Sequence, residues 1–345
     1  MGGVAGIEVK AAIKKAATWG TAVACGANNG ILILPDSIRK DRPNNIDDSL
    51  GLYFPQDSDP GEIAVAGDLP AYLRYDGHDL LIALGAGSTG GAPVQQGATT
   101  AYQQTFPLAD NNDGKFATLV LNKKINIEEC TSSKIIGFTI KGEVGKPVQI
   151  IYHTIIDNKI TDSVVNTLVT FANVTYFETK NRVMFNHGIF RMNAQDGGAL
   201  GAGDKIWPNS FELKFMRKMS GVYGAGGTFN TIDEPMNDGL PEVSLKLQFP
   251  RYTSAAYFTD WEAGNAKKLD ITFTGAMIAN PYYRTVKIEL PNLKFANVDA
   301  PTETGTIKHP VEFNCLGCAA APTGMTTTKP FLITAINRQS ADVLA

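Results

Sequence analysis

Three stretches of this chain carry residue types that could do chemistry. In YDGHDLL, Asp76, His78 and Asp79 form a D-x-H-D group whose carboxylates and imidazole could share a divalent cation. At the head of a helix the same residues have a simpler use, Asp76 as the N-cap and Asp79 as its capping-box partner at N3. FNCLGC holds Cys315 and Cys318 as a C-x2-C pair. That pair supplies half of a zinc site, because Cys25 and Cys130 stand alone and His78, His153, His187 and His309 show no ligand spacing. The third stretch, GVYGAGGTFN at 221–230, has the glycines of a phosphate-wrapping loop. It lacks the lysine of such a loop and runs on into TIDEPMNDGLPE, not into a helix. The residues therefore predict no catalytic group, no metal and no cofactor. The glycine stretch is instead a long excursion between two strands, and loops of that length are commonly interaction elements.

The elements that must carry these residues are mostly strands. Period-two alternation marks 135–141, 147–154, 211–215, 242–249, 269–275 and 283–290, with shorter β-rich runs at 31–34, 50–54, 102–108, 116–122 and 183–190. Helical spacing is confined to 8–19, 76–85 and 253–264. Many strands with scattered helices and no β-α-β alternation predict a β-rich α+β fold. In EVSLKLQF, Val243, Leu245, Leu247 and Phe249 share one face, against Glu242, Ser244, Lys246 and Gln248. FELKF sets Phe211, Leu213 and Phe215 against Glu212 and Lys214 in the same way, so the sheet has one dry and one wet face.

With 43% apolar and 19% charged residues over 345 positions, the chain can build a large core. Its net charge of −3 excludes the cationic surplus that tight binding to a nucleic-acid backbone needs. No apolar run reaches the length of a membrane span, and the N-terminal stretch, with lysines at 10, 14 and 15, has no signal-peptide core. The chain is expected to be soluble and unprocessed.

Two hairpins, 134–155 and 210–250, share this alternation and suggest a chain built of two related domains. The boundaries expected are an N-terminal arm at 1–25, a first domain at 26–160, a second at 161–325 and a C-terminal arm at 326–345. The segments AAIKKAATWGTAVACGANNGILIL, LRYDGHDLLIALG, SSKIIGFTIKGEVGKPVQI, FELKFMRKMSGVYGAGG with NDGLPEVSLKLQFPRY, and TKPFLITAINRQS together resemble the major tail tube proteins of bacteriophages with long non-contractile tails.

The resemblance implies a β-sandwich or barrel whose long hairpins join those of neighbouring subunits into one inner barrel. It implies rings stacked into a tube that conducts double-stranded DNA from the virion, the protein being made in the host cytoplasm. Fused pairs of the smaller tube subunit form trimeric pseudo-sixfold rings; single subunits form hexamers. The length and the two hairpins favour the trimer. Partners implied are the protein itself, the tape-measure protein, and the terminator and distal tail proteins, with no membrane. The wet face then lines the channel through Thr139, Lys141, Gln149, His153, Glu212, Lys214, Glu242, Ser244, Lys246 and Gln248. Contacts between rings are expected from Trp19, Tyr223, Asp233, Glu234, Asp238 and Phe331. Two other classes remain open at this point. One is a metal-dependent hydrolase at Asp76, His78 and Asp79. The other is a surface-layer or carbohydrate-binding protein, for which Trp19, Trp207 and Trp261 are widely scattered.

Overall fold

A computed structural model of the chain describes residues 5–50, 53–177, 181–224, 231–302 and 304–345. The first half runs through β1 (Lys10–Ala16), β2 (Gly30–Ile31), β3 (Arg39–Asp41), β4 (Asn44–Ile46), β5 (Ser58–Pro60), β6 (Ala64–Tyr72) and α1 (Asp79–Ala86). It continues through β7 (Val94–Gln95), β8 (Tyr102–Pro107), β9 (Phe116–Asn122), β10 (Ile127–Glu143), β11 (Gln149–Ile156) and β12 (Lys159–Ile160). The second half holds α2 (Leu168–Phe171), β13 (Gly188–Ala194), β14 (Lys205–Ile206), β15 (Ser210–Met216), β16 (Glu242–Phe249) and α3 (Ala256–Glu262). After these come β17 (Ala266–Ala279), β18 (Tyr282–Val298), β19 (His309–Cys315) and β20 (Leu332–Asn337). The β-rich α+β class read from the sequence holds.

Two 17-residue strands, β10 and β18, organise the molecule, because each changes neighbour halfway along. β10 pairs with β9 over its N-terminal half, and on the same edge with β15 from Gly137↔Met216 to Glu143↔Ser210. Its other edge carries β11 and β12. β18 pairs with β20 from Thr285↔Ile336 to Glu289↔Leu332 and then with β19, while β17 runs along its opposite edge. The result is a shared sheet in the order β6–β11–β10–β15–β16–β19–β18 with further layers (β1 on β9, β13 on β17, and β8 on β20) packed behind it. The strands curl like a barrel, yet among the described residues no pairing joins the β6 end of the shared sheet to the β18 end. A bulge between Ile135 and Gly137 marks where β10 leaves one layer for the other. Gly137 is required there, since a Cβ would lie 2.2 Å from the Phe215 carbonyl oxygen.

The core fills the space behind the shared sheet. Phe138, Ile140, Ile150, Tyr152, Phe211, Leu213, Phe215, Leu245 and Leu247 all point there and are buried, as the alternation requires.

Three expectations need correction. The helix expected over 8–19 is a short turn at Gly6–Glu8 followed by β1, paired residue for residue with β9 from Lys10↔Asn122 to Ala16↔Phe116. Alanine and lysine favour helix in isolation, but the ladder and the burial of Ala11, Ala12, Ile13 and Ala16 prevail. The capping box at 76–79 does not form either: His78 occupies the N-cap position of α1 without a side-chain cap. Finally, the N- and C-terminal stretches expected as arms contain β1 and β20, strands paired within the chain.

Candidate functional site: the polar face of the shared sheet

Cross-strand register places all ten residues expected to line a channel on one face of the shared sheet. Gln149, Lys141, Glu212, Lys246 and Glu312 stand side by side across five strands. The adjacent rung holds Thr139, Lys214, Ser244 and Asn314. His153 is opposed to Asp68, Glu242 to Met216, and Gln248 to Ser210. One end of this face is a concavity of about 710 Å³ lined by Lys141, Gln149, Glu212, Lys246, Gln248 and Glu312.

The charges on this face are interleaved. Lys141 is directly opposite Glu212, and the Lys246 ammonium lies 2.8 Å from a Glu312 carboxylate oxygen. That hydrogen bond holds the Lys246 pKa above its ordinary value, while Glu242, bonded to Lys218 at 2.8 Å, is held below the usual carboxylate range. Cross-strand pairs of opposite charge contribute about 0.2–1 kcal/mol each. Three lysines are thus matched by Glu212, Glu242 and Glu312, and no cationic groove results. Beside them His153 donates or accepts at Thr139 Oγ1 (3.0 Å) and meets Asp68 Oδ1 at 2.7 Å.

The sequence reading missed Glu312, Asn314 and Asp68. The signal for the first two was present in VEFNC, where Val311, Phe313 and Cys315 alternate with Glu312 and Asn314. The C-x2-C spacing drew the eye instead.

The residues expected between rings fare differently. Phe331 is fully buried and packs edge-on against Phe138 and Phe215, so it fills this chain's own core and presents nothing to a neighbour. The described residues of the excursion after β15 lie down on the chain's first half instead of projecting from it. Its Arg217 is buried and donates to the carbonyls of Gly85, Ala86, Ala109 and Asp110. Burial pulls the Arg217 pKa down to about 10. Tyr223 donates to the Ile63 carbonyl, and Trp19, edge-on to Phe116, donates its indole N–H to the Ile232 carbonyl. The Asp233 amide donates to the Val222 carbonyl, Asp238 accepts from Ser220, and Glu234 accepts from the buried Lys134 and from the Gly114 amide. Residues 225–230 of the glycine stretch lie outside the described residues.

The D-x-H-D group is a buried structural network. Asp76 accepts from Arg284 at 2.8 Å, Asp79 accepts from Asn337 at 2.9 Å, and His78 Nδ1 shares a hydrogen bond of 2.9 Å with the Tyr152 hydroxyl. Among the described residues no cluster of His, Cys, Asp and Glu could hold a metal ion. The four cysteines are free thiols; burial pushes Cys25 and Cys130 up to about 12 and Cys315 further still. No helix among the described residues is long and apolar enough to cross a membrane.

A large antiparallel sheet with one continuous polar face is what a conduit wall requires, and β10, β15 and β16 of that sheet lie in segments that resembled tail tube proteins. No curated protein matched the sequence. A family model described as phage tail tube protein does match, over residues 6–315 and so nearly the whole chain, which therefore belongs to the phage tail tube protein family.

Proposed function

We propose that copies of this chain close into rings through the edges of the shared sheet, that the rings stack into a tube, and that the polar face lines the channel through which double-stranded DNA leaves the virion. Membership of the family makes the chain a structural component of the virion tail that assembles with itself into a tube. The observation that supports the finer reading is the interleaved, near-neutral wet face on a sheet with two open edges. An exposed edge is an aggregation hazard that closure by neighbours removes. A polar lining without a cationic surplus suits DNA that must slide, since phosphate contacts with Lys and Arg are what retain it.

Three chains per ring is the stoichiometry we favour. Each chain offers eight inner strands when the extended segment 33–41, hydrogen-bonded along β6, is counted with β6, β11, β10, β15, β16, β19 and β18. At a strand spacing of about 4.8 Å, three chains give a wall roughly 37 Å across before strand tilt widens it. Six chains double that width without need. The tape-measure, terminator and distal tail proteins are the further partners of this reading.

Negative-stain microscopy of the purified chain at rising concentration tests it. Rings or filaments with threefold class averages are expected. Rings of six full chains overturn the trimer, and a chain that stays monomeric at all concentrations overturns the tube.

A further inference from the structure

The two halves of the chain repeat one set of pairings. β6 leads through the six residues 73–78 into α1, as β16 leads through the six residues 250–255 into α3. β11 lies between β6 and β10, and β10 also carries β9 and β12. In the second half β19 lies between β16 and β18, and β18 also carries β17 and β20. β1 joins β9 and β2, as β13 joins β17 and β14. With the wet faces of the two halves superposed, we take Asn297 as the counterpart of Thr139 and Ser37 as that of Lys214.

Inside the chain the halves are joined by β15 on the outer edge of β10, with Thr139 directly opposite Lys214. The excursion after β15 adds Arg217 on the C-terminal carbonyls of α1. The counterparts of these surfaces lie at the two ends of the shared sheet and are uncovered. Segment 33–41 is held to β6 by Leu34 and Ser37, whose amides donate to Pro70 and Asp68 at 2.7 and 3.1 Å, and by Arg39↔Ala66. No strand pairs with its outer edge among the described residues. At the other end β17 leaves β18 at Lys294, so the edge from Phe295 to Val298 is open on that side. α1 is almost wholly buried, whereas α3 has no buried residue and leaves Trp261 41% exposed. In place of the 217–241 excursion the first half has the hairpin β4–β5, which pairs only with itself. Ile46 within β4, and Tyr53 and Phe54 between the two strands, are 61%, 97% and 79% exposed. A lone two-stranded hairpin is marginal in water and needs a surface to lie on.

We propose that a second copy of this chain docks head to tail by repeating the internal junction, a reading that rests on the ring assembly above. Segment 33–41 of one copy adds to the outer edge of 295–298 in the next, with Ser37 opposite Asn297. The β4–β5 hairpin covers the neighbour's α3, bringing Tyr53 and Phe54 to Trp261. Arg39 and Lys40 then reach the C-terminus of α3, beside Glu262, in the role Arg217 plays at α1. A cation is favoured at that end of a helix. Each chain contributes one junction inside and one outside, so the ring is a single step repeated.

The test is a disulfide scan in the full chain carrying Cys318→Ser. Directly opposed positions on neighbouring strands lie within bridging distance. Ser37→Cys with Asn297→Cys in one chain should oxidise to a covalent ladder ending at the closed ring, and a mixture of the two single variants should stop at dimers. Thr139→Cys with Lys214→Cys, closing within the chain, verifies the oxidation. Rings that form while the Ser37/Asn297 pair stays unlinked overturn the junction and leave the tube reading intact; absence of rings overturns both. A Tyr53→Asp, Phe54→Asp variant should melt like the wild type as a monomer and need at least about tenfold more protein to form rings, since its carboxylates would be desolvated against Trp261 beside the like charge of Glu262. Unchanged assembly, or single rings that form normally and fail only to stack, overturns the hairpin's part.

Discussion

Lys134, buried within β10, forms its ion pair with Glu234, one hundred residues further along the chain. The pair ties the excursion after β15 to the first half of the molecule. It gives Glu234 a role inside the subunit, where the sequence had pointed to a contact between rings. Replacing Glu234 by Gln should strand a buried ammonium and lower stability by about 2 kcal/mol, less than a fully buried pair would cost because the carboxylate is partly exposed. Adding Lys134→Met should recover most of that loss. Urea denaturation of the two single variants and the double variant checks both statements.

Arg217 is the second tie. Its guanidinium satisfies four carbonyls, two of them at the end of α1. Arg217→Ala leaves the Gly85 and Ala109 carbonyls without this donor, while Ala86 keeps the Ala109 amide and Asp110 keeps Asn237, so a loss of about 2 kcal/mol is expected in chemical denaturation. Arg217→Lys, with a single point donor, should recover only part of it.

His78 and Asp79 set opposing pH slopes. Burial, aided by the charge of Arg74, pushes His78 from 6.5 down to about 4. The unfolded chain therefore binds more protons between about 4 and 6.5, and this group's stability is lost as pH falls through that window. Burial pushes Asp79 from 3.8 up to about 6, against the bond from Asn337. The folded chain binds more protons between those values, so the stability of this group is lost as pH rises. The two effects largely cancel in the wild type. Asp79→Asn removes the second one, and its stability should fall between pH 7 and pH 4 by on the order of 3 kcal/mol more than the wild type's. Thermal melts at four or five pH values measure the difference.

Deleting residues 1–25 should unfold the chain or lower its melting temperature sharply, because the deletion removes β1 and with it Ala11, Ala12 and Ile13 from the core. A folded protein deficient only in assembly is the outcome expected of a free arm. Circular dichroism of the truncated chain separates the two.

The polar face offers a test of its balance. Glu212→Lys with Glu312→Lys should leave the fold intact, at a cost of about 1 kcal/mol for each like-charged neighbour. It should convert weak DNA association into strong, salt-dependent retention, with a steeper loss of binding as salt rises. Filter binding across a salt series measures this directly.

How much of this was legible depended on whether the information was local. β10, β11, β15, β16, β17 and β18 announce themselves because each alternates apolar with polar residues in sequence, and on β10, β11, β15 and β16 the expected lining residues follow from the same alternation. β1 misled because AAIKKAA satisfies the helical spacing as well as a strand, and only the distant β9 decides between them. Segment 33–41 was hidden by Pro35, which breaks the strand pattern without preventing the hydrogen bonds of Leu34 and Ser37. The excursion after β15 read as a projection because it is polar and rich in glycine. What holds it down, Lys134, Asp110 and the end of α1, is set by tertiary contacts that no window of sequence contains.

The pairing of β8 with β20, from Leu332↔Pro107 to Asn337↔Tyr102, also dictates a timetable. On the ribosome, β8 emerges first and then waits, its partner edge unfilled, until the far more distant β20 has been made. β10 waits in the same way for β15. The nascent first half is therefore an incomplete sheet with open apolar surface throughout much of synthesis, the state in which chains aggregate or recruit chaperones. The seams close only once β20 has emerged, so a subunit becomes competent to meet its neighbours no sooner than that strand has paired.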